Sequence, residues 1–342
     1  MTTAYIQPIV YKDSWHRQLA KAIMSVIMDV IFKPIIEVLA EVERIDNAKV
    51  TALEKALRDG SVQFSGGAFR GAINARISKE IKEFGGKFKK GAWRLPSPSL
   101  PTELQKAIHL NQVRMKALFE KVSIELDSMP SRITEIVKMM DVETIGLTEL
   151  DLVSKEFKAK VRKALAVYPD LGEEGIKQYN LNYAFVDDKP IKLKLANEYK
   201  DRIKPKIVDF SFEEIKKLRT DLHNQILGGQ SRKKVQTYIM DRLKIDKTRC
   251  VFIARQETAL MTVGFQKVQY QSAGIQKYKW VTVGDHIVRG NRPTDRANHK
   301  ILDGEIYSWD NAPSADHFST GKQCHPGEDY NCRCQAKPIV EW

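Results

Sequence analysis

Residues Lys277 to Trp342 read KYKWVTVGDHIVRGNRPTDRANHKILDGEIYSWDNAPSADHFSTGKQCHPGEDYNCRCQAKPIVEW. This stretch holds four of the seven histidines (His286, His299, His317, His325) and three of the four cysteines (Cys324, Cys332, Cys334). Lys277 to Val283 is aromatic and β-branched, which predicts a strand ending at Gly284. Beyond it periodicity fades and Gly, Asn, Asp and Pro become frequent, so the shape there needs something other than a large apolar core. His299, Cys324, Cys332 and Cys334 supply one imidazole and three thiols, a set that suits tetrahedral zinc. The Cys332-Arg-Cys334 spacing can present both thiolates to one ion, and His317 or His325 can stand in for His299. Ordinary buried thiols with hydrogen-bonded imidazoles, and a disulfide, stay open as readings of the same residues.

Outward from this tail the composition is that of a folded protein. A chain of 342 residues, 42% apolar and 29% charged, predicts two or three domains. The net charge of +13 favours a polyanion nearby, such as DNA, RNA or an acidic protein surface, although solvated faces alone produce a similar excess. The opening MTTAYIQPIVYKDSW lacks the basic and apolar regions of a signal peptide. The most apolar run, Leu19 to Val42, is broken by Lys21, Asp29, Lys33, Glu37 and Glu41, so no membrane span is expected. The cysteine usage suggests a reducing compartment.

The pattern along the chain predicts an α+β fold, mainly helical. Residues 1–100 read as a helical segment plus a small strand–helix–strand element, 101–196 as a helical middle region, and 197–342 as helices to 274 followed by the loop-rich tail 275–342. Residues 14–45 recur with helical spacing, with a kink or restart expected at Pro34. Ser61 to Ser65 reads as a strand broken by Gly66-Gly67, Ala68 to Phe84 as a helix closed by Gly85-Gly86, and Lys87 to Leu95 as a second strand. Lys87, Lys89, Lys90 and Arg94 around Phe88 and Trp93 form a candidate phosphate-backbone contact. The same pattern also describes a half-buried strand with a wet face.

Further on, helices are expected over Glu103–Ser128, Ser131–Met140, Thr148–Val167, Phe212–Leu227, Ser231–Leu243 and Arg249–Ser272, with a strand at Pro190–Leu195. The amphipathic stretches 14–45 and 213–243 are candidate docking surfaces for a partner.

Ala254-Arg-Gln-Glu-Thr258 on a helix, Trp280, Asp285, the Arg296 and His299 pair, Leu302-Asp-Gly304, Pro313 and Asn331-Cys-Arg-Cys334 follow one another in order. This series resembles the phage head-morphogenesis family of Mu F-like minor head proteins, with an A-R-T-E helix, a Trp strand, D-x-R-x-R-x-x-H before L-D-G, and a terminal N-C-R-C. It covers about the last ninety residues; Gly67–Leu95 and Asn197–Gly274 are more loosely similar. Gln256 stands where the family has Thr, and Asp285 lies well ahead of Arg296 and His299.

The resemblance implies a structural, non-enzymatic virion component inside the phage head, present in the host cytoplasm during assembly. Its implied partners are the portal protein, other head proteins and packaged double-stranded DNA bound without sequence preference, with roles in assembly, packaging or ejection. Arg255, Glu257, Asp285, Arg296, His299 and Asp303 are then expected to form a buried polar network fixing loop geometry. The competing class is a metal-dependent nuclease or toxin-like effector using His286, His299 and a downstream histidine of the tail.

Overall fold

The structure, a computed structural model, describes residues 3–9, 12, 14–46, 51–58, 60–168, 188–227, 232–284, 288–290, 295, 297–314, 323–330 and 332–341. In chain order the elements are β1 (Thr3–Tyr5), α1 (Arg17–Val26), a π-helical stretch (Ile27–Phe32), α2 (Lys33–Asp46), α3 (Ala52–Arg58), β2 (Val62–Ser65), β3 (Ala68–Gly71), α4 (Ala75–Glu83), β4 (Lys87–Lys89) and β5 (Ala92–Arg94). Then follow α5 (Thr102–Met139), α6 (Val142–Val167), α7 (Lys189–Leu227), α8 (Arg232–Ser272), β6 (Lys277–Val281), a 3-10 turn (Lys300–Leu302), β7 (Ile306–Ser308) and β8 (Gln335–Glu341). Eight α-helices and two small antiparallel sheets among the described residues make the chain mainly helical α+β, as the sequence predicts.

The chain falls into two compact units, each assembled from distant stretches. Residues 1–23, 140–206 and 248–342 make the first, and residues 24–139 and 207–247 the second.

In the second unit, a four-stranded antiparallel sheet has the order β2-β3-β5-β4. Gly66 and Gly67 both take positive φ (55° and 77°), the left-handed pair that a two-residue hairpin turn demands. They therefore join β2 to β3 rather than break a strand, and the helix expected over Ala68–Phe84 shrinks to α4. Asn74 starts α4 by accepting a hydrogen bond from Ile77 N at 3.0 Å, and Gly85 ends it in the left-handed conformation. Lys90 and Gly91, also at positive φ (50° and 75°), turn the expected Lys87–Leu95 strand into the β4–β5 hairpin. Phe69, Ile77 and Ile81 pack with Leu53, Val62 and Leu104 in one core. The Glu80 carboxylate accepts from Ala52 N and Leu53 N (3.0 and 2.5 Å), closing the open amide end of α3.

Burial overrides local breakers in the long helices. Pro130 lies inside α5, yet Leu126, Met129, Ile133 and Val137 are buried on both sides of it, so one helix replaces the two expected. Leu195, Ala196, Tyr199 and Ile203 are likewise buried at helical spacing, and the strand expected at Pro190–Leu195 is part of α7. A single α8 replaces the expected helices 231–243 and 249–272. The α6 cap is Asp141, accepting from Thr144 N at 3.1 Å, while Thr148, where the sequence places the start of this helix, sits within it and donates to Thr144 O. Pro34 is the second residue of α2, which continues without a break from the π-helical stretch through helical Lys33, so the helix changes its winding ahead of the proline instead of restarting at it.

In the first unit the sheet order is β1-β8-β6-β7, all antiparallel. Tyr278 and Trp280 of β6 point inward and are fully buried, with lysines alternating between them. Glu149 of α6, only 2% exposed, accepts from Thr258 Oγ1 of α8 at 3.0 Å and lies 3.5 Å from the Tyr199 hydroxyl of α7. Burial raises its pKa from 4.5 to about 8, against these hydrogen bonds.

Two stability measurements follow from these packings. In urea denaturation, Phe69→Ala (0% exposed) should lose about 3–5 kcal/mol and Phe88→Ala (62% exposed) within about 0.5 kcal/mol. A raised carboxyl pKa gives stability that is full below the unfolded value of 4.5 and is lost as pH rises toward about 8, at about 1.4 kcal/mol per pH unit. The stability difference between wild type and Glu149→Gln should therefore move in the variant's favour between pH 5 and pH 8.

Candidate functional site

The first unit's sheet carries the tail chemistry, because the motif residues meet around β6. Gly304, in the left-handed conformation, donates from N to Trp280 O at 2.9 Å, and Trp280 N donates to Glu305 O at 2.8 Å. Asp303 Oδ1 accepts from Thr282 N at 2.7 Å. Leu302-Asp-Gly304 is thus the turn locked beside the Trp strand. His299 immediately precedes the 3-10 turn, and its ring lies edge-on to Trp280 at 5.5 Å.

His299 is 2% exposed and faces different groups from its two ring nitrogens. Nδ1 lies 3.4 Å from Cys332 Sγ and 3.6 Å from Cys334 Sγ. Nε2 lies 3.2 Å from Asp329 Oδ2. Arg289 pairs with that same Asp329 carboxylate and reaches Tyr330 O, while Asp329 Oδ1 accepts from Tyr330 N at 2.8 Å. Gly327 N and Cys334 N both donate to Cys332 Sγ at 3.4 Å. Gly327 has φ of 90°, and a Cβ there would come within 2.8 Å of Val263 Cγ2, so only glycine fits this corner.

The electrostatics follow from the packing. Burial disfavours a charged His299, but Asp329 and Cys332 outweigh it and lift its pKa to about 9. A hydrogen bond from Cys334, with further help from His299, holds the Cys332 thiol well below its ordinary range. The same bond and burial push Cys334 up.

All four cysteines are free thiols, so the disulfide reading is not what the structure adopts. His299, Cys332 and Cys334 place one donor atom each within 4.8 Å of one another, a set able to hold a metal ion. Cys324 is buried but is not among these donors. His325 also serves elsewhere: Lys267 Nζ donates to its Nε2 at 3.2 Å, leaving Nδ1 to donate to the Tyr278 hydroxyl at 2.9 Å. Burial keeps His325 below the usual histidine pKa against the pull of Glu328.

Among the described members of the expected polar network, Glu257, His299 and Asp303 each meet partners of their own. Glu257, 1% exposed, is held by Arg202 at 3.3 Å and by Lys206, both on α7. Arg255 lines a cavity of about 310 Å³ with Arg333, Cys332 and Cys334. His299 answers to Asp329, and Asp303 to a backbone amide. Asp285, His286, Arg296 and His317 lie outside the described residues. Asp329 and Arg289 escape a reading of the sequence; the one signal for Asp329 is an acid three residues ahead of Cys332, and acids are common in such loops.

The nucleic-acid candidates Lys87, Lys89, Lys90 and Arg94 are all exposed on the second unit's sheet, with Lys87 opposite Arg94 across the β4–β5 ladder. Phe88 is 62% exposed, and its ring meets Trp93 edge-on at 5.7 Å.

Residues 216–337 match the family model described as Phage Mu protein F like protein. An uncharacterized protein of Haemophilus influenzae (strain ATCC 51907 / DSM 11121 / KW20 / Rd) is 27% identical over 125 residues, which is 36% of this chain and 25% of that protein. No solved structure matches the chain. The matched span contains the Ala254–Thr258 helix segment, Trp280, His299, the Leu302–Gly304 turn and the Cys332–Cys334 pair, and over residues 216–337 this chain is similar to the phage Mu F-like head-morphogenesis family.

Proposed function

We propose that the chain is a minor head protein of a tailed phage, docked on the portal and touching packaged DNA without sequence preference. The family suggests head morphogenesis, a place in the virion among other head components and a non-enzymatic role. The observation that carries the reading is that the described motif residues are spent on holding the fold, Leu302–Gly304 in a hydrogen-bonded turn and His299 in a buried cluster. Leu302-Asp-Gly304 pins β6, and Asp329 serves His299, so these groups are spent on geometry.

DNA contact is supported by the net charge of +13 and by the exposed Lys87, Lys89, Lys90 and Arg94 beside Phe88. No described helix is long and apolar enough to cross a membrane. The apolar faces that made 14–45 and 213–243 docking candidates are occupied within the chain: Leu19, Ile23, Ile27, Ile31, Leu218 and Leu222 are all fully buried. Of the nuclease candidates, His299 faces two thiols, a soft set unlike the oxygen-rich sites that hold magnesium against a phosphate, while His286 and His317 lie outside the described residues.

Two measurements test this reading. Co-expressed with the ring-forming portal protein of its own phage, the chain should co-sediment with the rings; its absence from both rings and procapsids would contradict the proposal. The combined variant Lys87→Glu, Lys89→Glu, Lys90→Glu, Arg94→Glu should still co-sediment. Its affinity for duplex DNA should fall at least about tenfold at low salt, and its salt slope should drop by about 3 to 4.

A further inference from the structure

We infer that His299 Nδ1, Cys332 Sγ and Cys334 Sγ bind one zinc ion, with Asp329 holding the imidazole from behind and the fourth coordination position left to water or another exogenous donor. The distances carry the assignment. Tetrahedral zinc with bonds of about 2.0 Å to nitrogen and about 2.3 Å to sulfur sets N and S about 3.5 to 3.6 Å apart. The two spacings here are 3.4 and 3.6 Å. Both sulfurs approach the same ring nitrogen, and the other nitrogen faces a carboxylate at 3.2 Å, the usual outer partner of a metal-bound histidine. Arg289 fixes that carboxylate in turn. The amides of Gly327 and Cys334, both aimed at Cys332 Sγ, supply the hydrogen bonds that a buried metal thiolate takes from its surroundings.

The rival reading of the same atoms is a nucleophile chain, Cys332 thiolate–His299–Asp329, opening on the cavity of about 310 Å³ that Cys332 lines. That chain has no use for a second thiol at nearly the same distance from the same nitrogen. A metal centre needs one. Cys324, expected from its closeness in sequence to be a fourth ligand, is outside the group, so zinc should not depend on it. The inference rests on these distances and not on the portal reading, and its test has a separate readout.

Purified full-length chain should carry about one zinc per molecule by mass spectrometry of metals. Cobalt exchanged into it should give the sulfur-to-metal charge-transfer absorption of thiolate ligation. His299→Ala, Cys332→Ser and Cys334→Ser should each lose the metal, whereas Cys324→Ser keeps it. Asp329→Asn keeps every ligand and should weaken zinc binding by about 10- to 100-fold with its circular dichroism unchanged, guarding against variants that merely misfold. Iodoacetamide should label Cys332 and Cys334 only after chelation. Wild-type chain that neither carries zinc nor takes up cobalt would overturn the assignment. So would labelling of Cys332 alone at equal rate with and without chelator, or loss of zinc in Cys324→Ser.

Discussion

The tail of this chain depends on one histidine held from both sides. His299 is buried, with a carboxylate at one ring nitrogen and two sulfurs at the other. A buried imidazole in that position needs every partner, because each unmatched polar group in a low-dielectric site is expensive. Asp329, Cys332 and Cys334 come from one stretch near the end of the chain, and Arg289, which pairs with Asp329, comes from another ahead of His299. Holding His299 therefore joins loops that have few apolar contacts to hold them. The aromatic layer of Tyr278, Trp280 and Trp309, all fully buried, forms the apolar floor beneath.

This explains how a segment poor in periodicity reaches a definite shape. β6 is the organising strand: β8 pairs with one edge, and β7 with the Leu302–Gly304 turn closes the other. The Mu F-like motif is then legible as a set of geometric parts. Trp280 fills the core, Asp303 caps the strand's exit, Gly304 supplies a left-handed turn, and the Cys-x-Cys pair faces His299. The first unit adds the same logic among its helices, where Glu257 is clamped by Arg202 and Lys206, and burial raises the pKa of Glu149.

Local features of the fold are legible in the residues themselves. Helical spacing marks nearly every helix, and the chemistry of the tail points to His299, Cys332 and Cys334. What stays hidden is non-local. Nothing in Thr3–Tyr5 or Gln335–Glu341 alone announces that these strands pair with each other, since a ladder between distant segments leaves no local period. Pro130 and the Pro190–Leu195 stretch mislead because a buried stripe on each side outweighs a lost hydrogen bond or a strand propensity. Gly66-Gly67 reads as a break and is a two-residue turn, a distinction that depends on Ala68–Gly71 having a partner strand. Cys324 reads as a ligand because it is near in sequence, while Asp329, the true neighbour of His299, belongs to the commonest of loop residues.

Hydrogen exchange tests most directly whether His299 and the groups around it hold the tail in shape. Amide exchange of peptides covering 323–341 and 277–284 should be slow in the full-length chain with one equivalent of zinc. It should accelerate strongly when a chelator is added and return when zinc is restored, with the 62–95 sheet unchanged throughout. Exchange in the tail that ignores both chelator and zinc would contradict the account.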